Sequence, residues 1–230
     1  MGYIDKLGNI VIPIQYKYAE EFSEGLALVE YEGKRGYINT KGEFVISPQY
    51  EKATRFSEGL AAVSTMYGNP VEYIDRTGQT IIQDAFEFTS QYYQEGLAPI
   101  SLDGKWGYIN ANGEKVIAPK YQSAGHFSGG LAAVSLDGKY GYIDESGEFV
   151  ISAQYKWANT FSEGLAVVQT MNGKRGYIDQ TGKLITEDKY TLAFPFTNGL
   201  ALVQEKDADG YTFEGYIDQN GTYVYRVRLK

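Results

Sequence analysis

The fold is decided by a stretch whose pattern returns along the chain, Gly104-Lys105-Trp106-Gly107-Tyr108-Ile109-Asn110-Ala111-Asn112-Gly113-Glu114-Lys115-Val116-Ile117. Its tripeptide Gly-Tyr-Ile begins at Gly2, Gly36, Gly107, Gly141, Gly176 and Gly215, and a variant begins at Glu72. The copies are roughly 35 residues apart, a period typical of repeat architectures. We therefore expect one repeat domain over residues 1–230, with units beginning near residues 2, 36, 72, 107, 141, 176 and 215.

Each unit contains three short apolar runs, which we name strands A, B and C. Strand A is Leu26-Ala27-Leu28-Val29, with copies that begin at Leu60, Leu97, Leu131, Leu165 and Leu200. Strand B carries the Tyr-Ile pair. Strand C carries β-branched pairs, which suit a pleated sheet better than a helix. These pairs are Val11-Ile12, Val45-Ile46, Ile81-Ile82, Val116-Ile117 and Val150-Ile151.

The connections between these runs are turn signals. Strands A and B are joined by Asp103-Gly104, Asp137-Gly138 and Asn172-Gly173, dipeptides that favour a two-residue type I′ hairpin. Strands B and C are joined by Asx-x-x-Gly, which fits a type I turn followed by a left-handed glycine. The Asx residues are Asp5, Asn39, Asp75, Asn110, Asp144, Asp179 and Asp218. We interpret this column as turn caps rather than calcium ligands, because two of its seven members are asparagine.

A Tyr-x-x-Ala-x-x-Phe segment follows strand C. It occurs as Tyr16-Ala19-Phe22, Tyr50-Ala53-Phe56, Tyr121-Ala124-Phe127, Tyr155-Ala158-Phe161 and Tyr190-Ala193-Phe196. The spacing of three predicts a short helical or 3₁₀ turn that packs between successive sheets. The third unit departs from the pattern, with Phe86, Thr89 and Tyr92 or Tyr93 at these positions. Most aromatic side chains are thus assigned to the core.

These units, above all Gly104–Ile117 followed by Phe127-Ser128-Gly129-Gly130-Leu131-Ala132, resemble the bacterial WG (KWG) β-repeat. The similarity covers essentially the whole chain. Only one unit carries the Trp-Gly pair, at Trp106, since the other residues before Gly-Tyr-Ile are Met1, Arg35, Val71, Tyr140, Arg175 and Glu214. The resemblance implies an all-β repeat array and supplies no catalytic residues.

From the resemblance and the strand pattern we expect an all-β chain of three-stranded antiparallel meanders. Strand A occurs six times, whereas strands B and C occur seven times. Because this count offers no clean exchange of strands between the termini, we favour an open, solenoid-like array. A propeller-like closed ring is the alternative.

Composition excludes several classes of function. The chain has 230 residues, no cysteine and a single histidine, His126, so thiolate chemistry and a multi-histidine metal site are excluded. Its formal net charge of -8 disfavours nucleic acid as a partner. It has no long apolar run and no signal-peptide pattern, so we expect a soluble protein without membrane insertion, of unknown location. We predict no metal and no cofactor.

The candidate binding residues lie in two columns that vary between units yet hold large side chains. One column, before Gly-Tyr-Ile, contains Arg35, Trp106, Tyr140 and Arg175. The other, two residues after the first Tyr of the triplet, contains Tyr18, Lys52, Phe88, Ser123, Trp157 and Leu192. Trp, Tyr and Arg are enriched at binding hot spots. The competing interpretation is that these rings cap the contact between units, and His126 is interpreted as an ordinary surface histidine.

No spacing singles out a nucleophile, base or paired carboxylates, so the sequence predicts no catalytic residue and no enzyme activity. We expect a non-catalytic binding or scaffolding module that mediates protein–protein interaction. The alternative is a carbohydrate or cell-wall binding module, suggested by the repeated aromatic hairpins.

Overall fold

The computed structural model describes residues 1–66, 71–86, 88–89 and 93–229. By its internal contacts the chain divides into two compact units, Met1–Pro119 and Lys120–Lys230. The described residues form strands and turns and contain no helix. The all-β repeat fold expected from the sequence is therefore confirmed, while the extent of the single domain stays a prediction.

The strands that begin in the first unit are short, and within each sheet consecutive strands are antiparallel neighbours. They are β1 (Tyr3–Ile4), β2 (Ile10–Ile12), β3 (Tyr18–Ala19), β4 (Leu26–Tyr31), β5 (Lys34–Asn39), β6 (Phe44–Tyr50), β7 (Lys52–Ala53), β8 (Leu60–Ser64), β9 (Val71–Asp75), β10 (Thr80–Phe86), β11 (Phe88–Thr89), β12 (Leu97–Leu102), β13 (Lys105–Asn110) and β14 (Lys115–Tyr121).

The strands of the second unit continue the same pattern. They are β15 (Ser123–Ser128), β16 (Leu131–Leu136), β17 (Lys139–Ile143), β18 (Phe149–Tyr155), β19 (Trp157–Ala158), β20 (Leu165–Gln169), β21 (Arg175–Asp179), β22 (Tyr190–Ala193), β23 (Ala201–Lys206), β24 (Thr212–Ile217) and β25 (Tyr223–Arg228).

These strands form open sheets in which chain order is sheet order. After the two-stranded sheet β1–β2 come four sheets of four strands, β3–β6, β7–β10, β11–β14 and β15–β18. The strands β19 to β25 form one seven-stranded sheet. The two repeats merge there because the run at Leu184 makes only an isolated bridge to Ile178, and β22 instead pairs with both β21 and β23.

Four of the sheets thus have four strands, not the three predicted. The additional strand, which we name the leading strand, comes from the Tyr-x-x-Ala-x-x-Phe segment, and the prediction of a helical turn there is wrong. In the sheet β3–β6 the Lys17 amide donates to the Glu30 carbonyl and the Glu20 amide to the Leu28 carbonyl. The chain thus advances three residues on the leading strand and two on strand A between these two bonds. This extra residue is a bulge, and it allows side chains three apart to face the same core without a helix.

A tight turn that the sequence analysis overlooked joins each leading strand to strand A. Ser23 and Leu26 exchange both backbone hydrogen bonds, at 2.8 and 3.0 Å, around Glu24 and Gly25, whose φ angles are 52° and 84°. Positive φ at both central residues defines a type I′ hairpin. The equivalent dipeptides are Glu58-Gly59, Glu95-Gly96, Gly129-Gly130, Glu163-Gly164 and Asn198-Gly199.

The predicted turns are mostly confirmed. Asp103-Gly104 and Asp137-Gly138 have positive φ at both residues, as a type I′ turn requires. The prediction for Asn172-Gly173 is wrong, because only Gly173 is left-handed and its amide donates to the Thr170 carbonyl at 3.0 Å. That loop has the backbone hydrogen bonds of the Asx-x-x-Gly turns, with Thr170 in the Asx position, and is one residue longer than the predicted hairpin.

The core lies between successive sheets, and strand A is buried on both faces. On β4, Leu26 and Leu28 face the sheet β7–β10 and pack with Ala61 and Val63, while Ala27 faces the sheet β1–β2. A strand covered on both sides needs a continuous apolar run rather than an alternating one. This explains why each Leu-Ala-x-Val run is apolar throughout.

Four strand B tyrosines bond to the backbone just after the next leading strand in the chain. The Tyr37 hydroxyl donates to the Thr54 carbonyl at 2.7 Å, and its ring lies 4.7 Å from that of Phe56. Tyr3, Tyr142 and Tyr177 make the equivalent hydrogen bonds to Glu20, Asn159 and Phe194. Burial raises the pKa of Tyr37 and Tyr142 far above the usual tyrosine value. These hydroxyls therefore act as neutral donors in the core.

Candidate functional site

In four of the sheets the two variable columns meet on one rung, which we name the variable rung. In the first sheet, Tyr18 on β3 lies opposite Glu30 on β4, which lies opposite Arg35 on β5. Directly opposed residues project from the same face. The other rungs with predicted site residues are Phe88–Ser101–Trp106, Ser123–Ser135–Tyr140 and Trp157–Gln169–Arg175.

Two of these rungs pair an arginine with an aromatic ring. The Arg35 guanidinium carbon lies 5.8 Å from the Tyr18 ring centroid, and that of Arg175 lies 5.6 Å from the Trp157 ring. Both distances are within the range of a cation–π interaction. The structure therefore brings together residues that the sequence assigned to separate columns.

The Arg35 rung opens into a groove between β3 and β7. Its volume is about 540 Å³, and its walls are Tyr18–Glu21 on one side and Ala53–Arg55 on the other, with Arg35 from β5. Arg35 donates to the Ala53 carbonyl at 3.2 Å, and the Tyr18 hydroxyl donates to the Glu20 carboxylate at 2.8 Å. The groove is thus lined by guanidinium groups, carboxylates and one phenol ring.

The remaining predicted residues differ in exposure. Trp106 and Tyr140 are half-buried on β13 and β17, and Tyr140 packs partly against the core of its sheets. Its hydroxyl accepts a hydrogen bond from Ser123 at 3.2 Å. Trp157 also packs against a core cluster. Tyr140 and Trp157 therefore contribute to core packing as well. Phe88 belongs to β11, but its side chain lies outside the described residues.

His126 is half-buried on β15. Within the described ranges, no group of three or more His, Asp and Glu side chains is arranged to hold a metal ion. In the third repeat, Tyr93 is buried and occupies the Phe position of the triplet, while Tyr92 lies outside the described residues.

The Asx column has the capping role that the sequence predicts. In Asp144, one carboxylate oxygen accepts from the amides of Ser146 and Glu148 at 2.9 and 3.1 Å, and the other six members make the same pair of bonds. The Ser146 hydroxyl, followed by backbone amides, holds the pKa of Asp144 below its usual value.

A set of turn residues missed by the sequence analysis bonds to the equivalent turn of the next repeat. The Ser23 hydroxyl donates to the Phe56 carbonyl at 2.7 Å, and the Glu24 carboxylate accepts from the Gly59 amide at 3.0 Å. In the second unit, Ser162 and Glu163 bond in the same way to the following turn. The Xaa-Gly pair before each strand A leucine was the signal for these turns.

The fold and the variable rungs together define a repeat protein made of small antiparallel sheets, with recurring residue types in the core and variable side chains along one rung. A family model described as WG containing repeat matches residues 1–34, 36–65, 73–106, 106–140, 140–174 and 176–207. The chain belongs to this WG repeat family, which confirms the resemblance seen in the sequence.

Solved structures share the fold at low sequence identity. BamB from Moraxella catarrhalis has a TM-score of 0.53 at 14% identity, over 90% of this chain and 71% of that one. Hsv2 from Kluyveromyces lactis has a TM-score of 0.53 at 11% identity, over 90% and 80% of the two chains. A eukaryotic initiation factor has a TM-score of 0.54 at 10% identity, over 99% and 82%. No curated protein matches the sequence.

None of the residues that the structure describes forms a helix long and apolar enough to cross a membrane.

Proposed function

We propose that the chain is a non-catalytic binding module that docks another protein through its variable rungs. The observation that carries this proposal is the contrast between columns. The Tyr, Phe, Ala and Asx columns repeat because each has a packing or hydrogen-bonding role. The variable rung differs between sheets: it carries Tyr18 and Arg35 in one, Trp106 in another, Tyr140 in a third, and Trp157 and Arg175 in a fourth. All of these side chains are partly accessible to solvent. Repeat proteins use such variable positions on a fixed scaffold to recognise partners.

The geometry favours a protein partner over a glycan. Sugar stacking needs a flat ring face that is open to the ligand. The Arg35 and Arg175 guanidinium groups lie over the rings of Tyr18 and Trp157 and occupy one face of each. Arginine stacked on an aromatic ring is a common anchor in protein interfaces.

The proposal is tested by capturing partners from a lysate of the source organism with two matched variants. The rung variant carries Tyr18→Ala and Arg35→Ala. The control carries Val45→Ser and Val150→Ser, since these valines are 44% and 49% exposed on strands β6 and β18, away from the rung. We expect one or more proteins to be retained by the wild type and the control but lost from the rung variant, with unchanged circular dichroism.

Identical capture by all three proteins would contradict the proposal. Co-sedimentation with peptidoglycan and insoluble polysaccharides tests the alternative function, a carbohydrate or cell-wall binding module. Saturable binding that disappears in the Trp106→Ala and Tyr140→Ala variants would assign the rungs to glycans instead.

A further inference from the structure

The groove between β3 and β7 holds an arginine whose hydrogen-bonding capacity is mostly unused. A guanidinium has five N–H donors in a planar fork. Among the described residues, the Ala53 carbonyl, 3.2 Å away, is the acceptor that Arg35 reaches. The Tyr18 ring lies against the guanidinium at 5.8 Å. The edge of the fork therefore remains available to a ligand in the groove.

The same arrangement recurs four repeats later. Arg175 lies over Trp157, and its Nε is buried with no hydrogen-bond partner among the described residues. Buried donors in folded proteins are nearly always satisfied, so such an atom marks a place where a ligand group or water completes the structure. Two arginines at equivalent positions thus share one stacking geometry and unsatisfied donors.

We propose that these two arginine–aromatic pairs are receptors for carboxylate side chains of an extended peptide segment. This inference rests on the proposed function and names the chemistry that its partner presents. A carboxylate matches the planar fork with two parallel hydrogen bonds, which are stronger than bonds between neutral groups.

The composition of the groove selects a carboxylate over a phosphate. Glu20 and Glu21 line the wall that also carries Tyr18, so a group with two negative charges meets repulsion there. Arg35 and Arg55 line the same groove and offset these two glutamates, so a group with a single negative charge is repelled less than a group with two. The peptide amides next to that side chain can donate to Glu21.

The dimensions fit a stretch of peptide. The volume of about 540 Å³ is several times that of one carboxylate and lies within the range of small-ligand sites. Each wall includes leading-strand residues, Tyr18–Ala19 on one side and Ala53 on the other. An extended segment can follow the groove and place one acidic side chain on Arg35.

The test is affinity selection from a capped peptide library with one central position randomised over Asp, Glu, Asn, Gln and phosphoserine and with neutral flanking positions. The full chain is immobilised, and the retained pool is sequenced. We expect Asp and Glu to be enriched about fivefold or more over Asn and Gln, because only the carboxylates form charge-assisted bonds.

Arg35→Lys and Arg175→Lys keep the charge but remove the fork, so each single variant lowers the enrichment and the double variant abolishes it. Arg76→Lys, an exposed arginine in the turn after β9, is the matched control and keeps the enrichment. Thermal unfolding of each variant verifies the fold.

The inference is overturned if nothing is retained, if acid and amide are retained equally, if phosphoserine is preferred, or if the double variant still selects acids. These outcomes leave the proposed function intact as long as the rung variant loses its captured protein. Loss of the proposed function is seen separately, when wild type and rung variant capture the same proteins.

Discussion

The substitution Tyr142→Phe tests the hydrogen bond that connects one sheet to the next. Tyr142 is fully buried, and its hydroxyl donates to the Asn159 carbonyl at 2.7 Å. Phenylalanine keeps the ring, which lies 4.8 Å from Phe161, and removes only the donor. The change therefore isolates one hydrogen bond between β17 and the segment that follows β19.

The expected loss follows from the environment of this hydrogen bond, whose donor is on the fully buried Tyr142 and whose acceptor is on the half-buried Asn159. A hydrogen bond between neutral groups contributes about 0.5–1.5 kcal/mol, and a buried carbonyl left without a donor costs about 1–3 kcal/mol. We expect Tyr142→Phe to lower the free energy of unfolding by about 1.5 kcal/mol. For a chain of this size that corresponds to a fall of about 3–6 °C in the unfolding midpoint.

The neighbouring change Tyr140→Phe is the matched control. Its hydroxyl only accepts a bond from Ser123, at 3.2 Å, on a half-buried side chain, so we expect a loss of about 0.5 kcal/mol or less. Both variants are compared by urea unfolding followed through tryptophan fluorescence and by thermal unfolding in circular dichroism. Equal stability of the two variants would refute the role assigned to the strand B tyrosines.

Three further predictions concern packing, ion pairing and pH. We expect Gly141→Ala to lower the free energy of unfolding by about 2–3 kcal/mol in urea, because its Cβ would lie 2.5 Å from the Ile151 carbonyl oxygen. Gly138→Ala has open space around the new Cβ and should lower it by about 1 kcal/mol. Glu205→Gln removes ion pairs at 2.8 and 3.3 Å to two partly exposed cations and should cost about 1–2 kcal/mol, a difference that shrinks in high salt. Burial raises the pKa of Tyr190 from 10.0 to about 12, so the stability it contributes is complete below pH 10 and lost as the pH rises towards 12. A thermal midpoint that stays constant across that range, or tyrosinate absorbance that appears before unfolding, would contradict this last expectation.

The sequence predicted the strands and most turns because their signals are local. The Asx-x-x-Gly spacing and the Asp-Gly dipeptides determine their turns through side-chain hydrogen bonds and positive φ, and Asp144 and Asp103 adopt the expected geometry. Asn172-Gly173 carries the same kind of signal, yet the flanking residues pair so as to leave a longer loop.

The leading strand could not be recognised in the same way. Its identity depends on a bulge, which converts the alternating period of a strand into a spacing of three, and Tyr16, Ala19 and Phe22 then imitate a helical face. The hairpin at Glu24-Gly25 was the missing signal, since glutamate rarely adopts positive φ.

The candidate site depended on that same strand. Without the leading strand, Tyr18 and Arg35 belong to separate columns of the sequence, and no spacing relates them. Pairing of β3 with β4 and of β4 with β5 places both on one rung. The residue types could therefore be predicted from the sequence, but their contact required the register of three strands.

The most direct test of the account is photocrosslinking from the variable rung in the full chain. A benzophenone-bearing residue is introduced in place of Tyr18 or Trp157, and in place of the exposed Val45 or Val150 as controls. After incubation with lysate of the source organism and irradiation, we expect a discrete protein adduct from the two rung positions and none from the two valine positions. Adducts from the valines alone, or from none of the four positions, would contradict the claim that the variable rungs bind a protein.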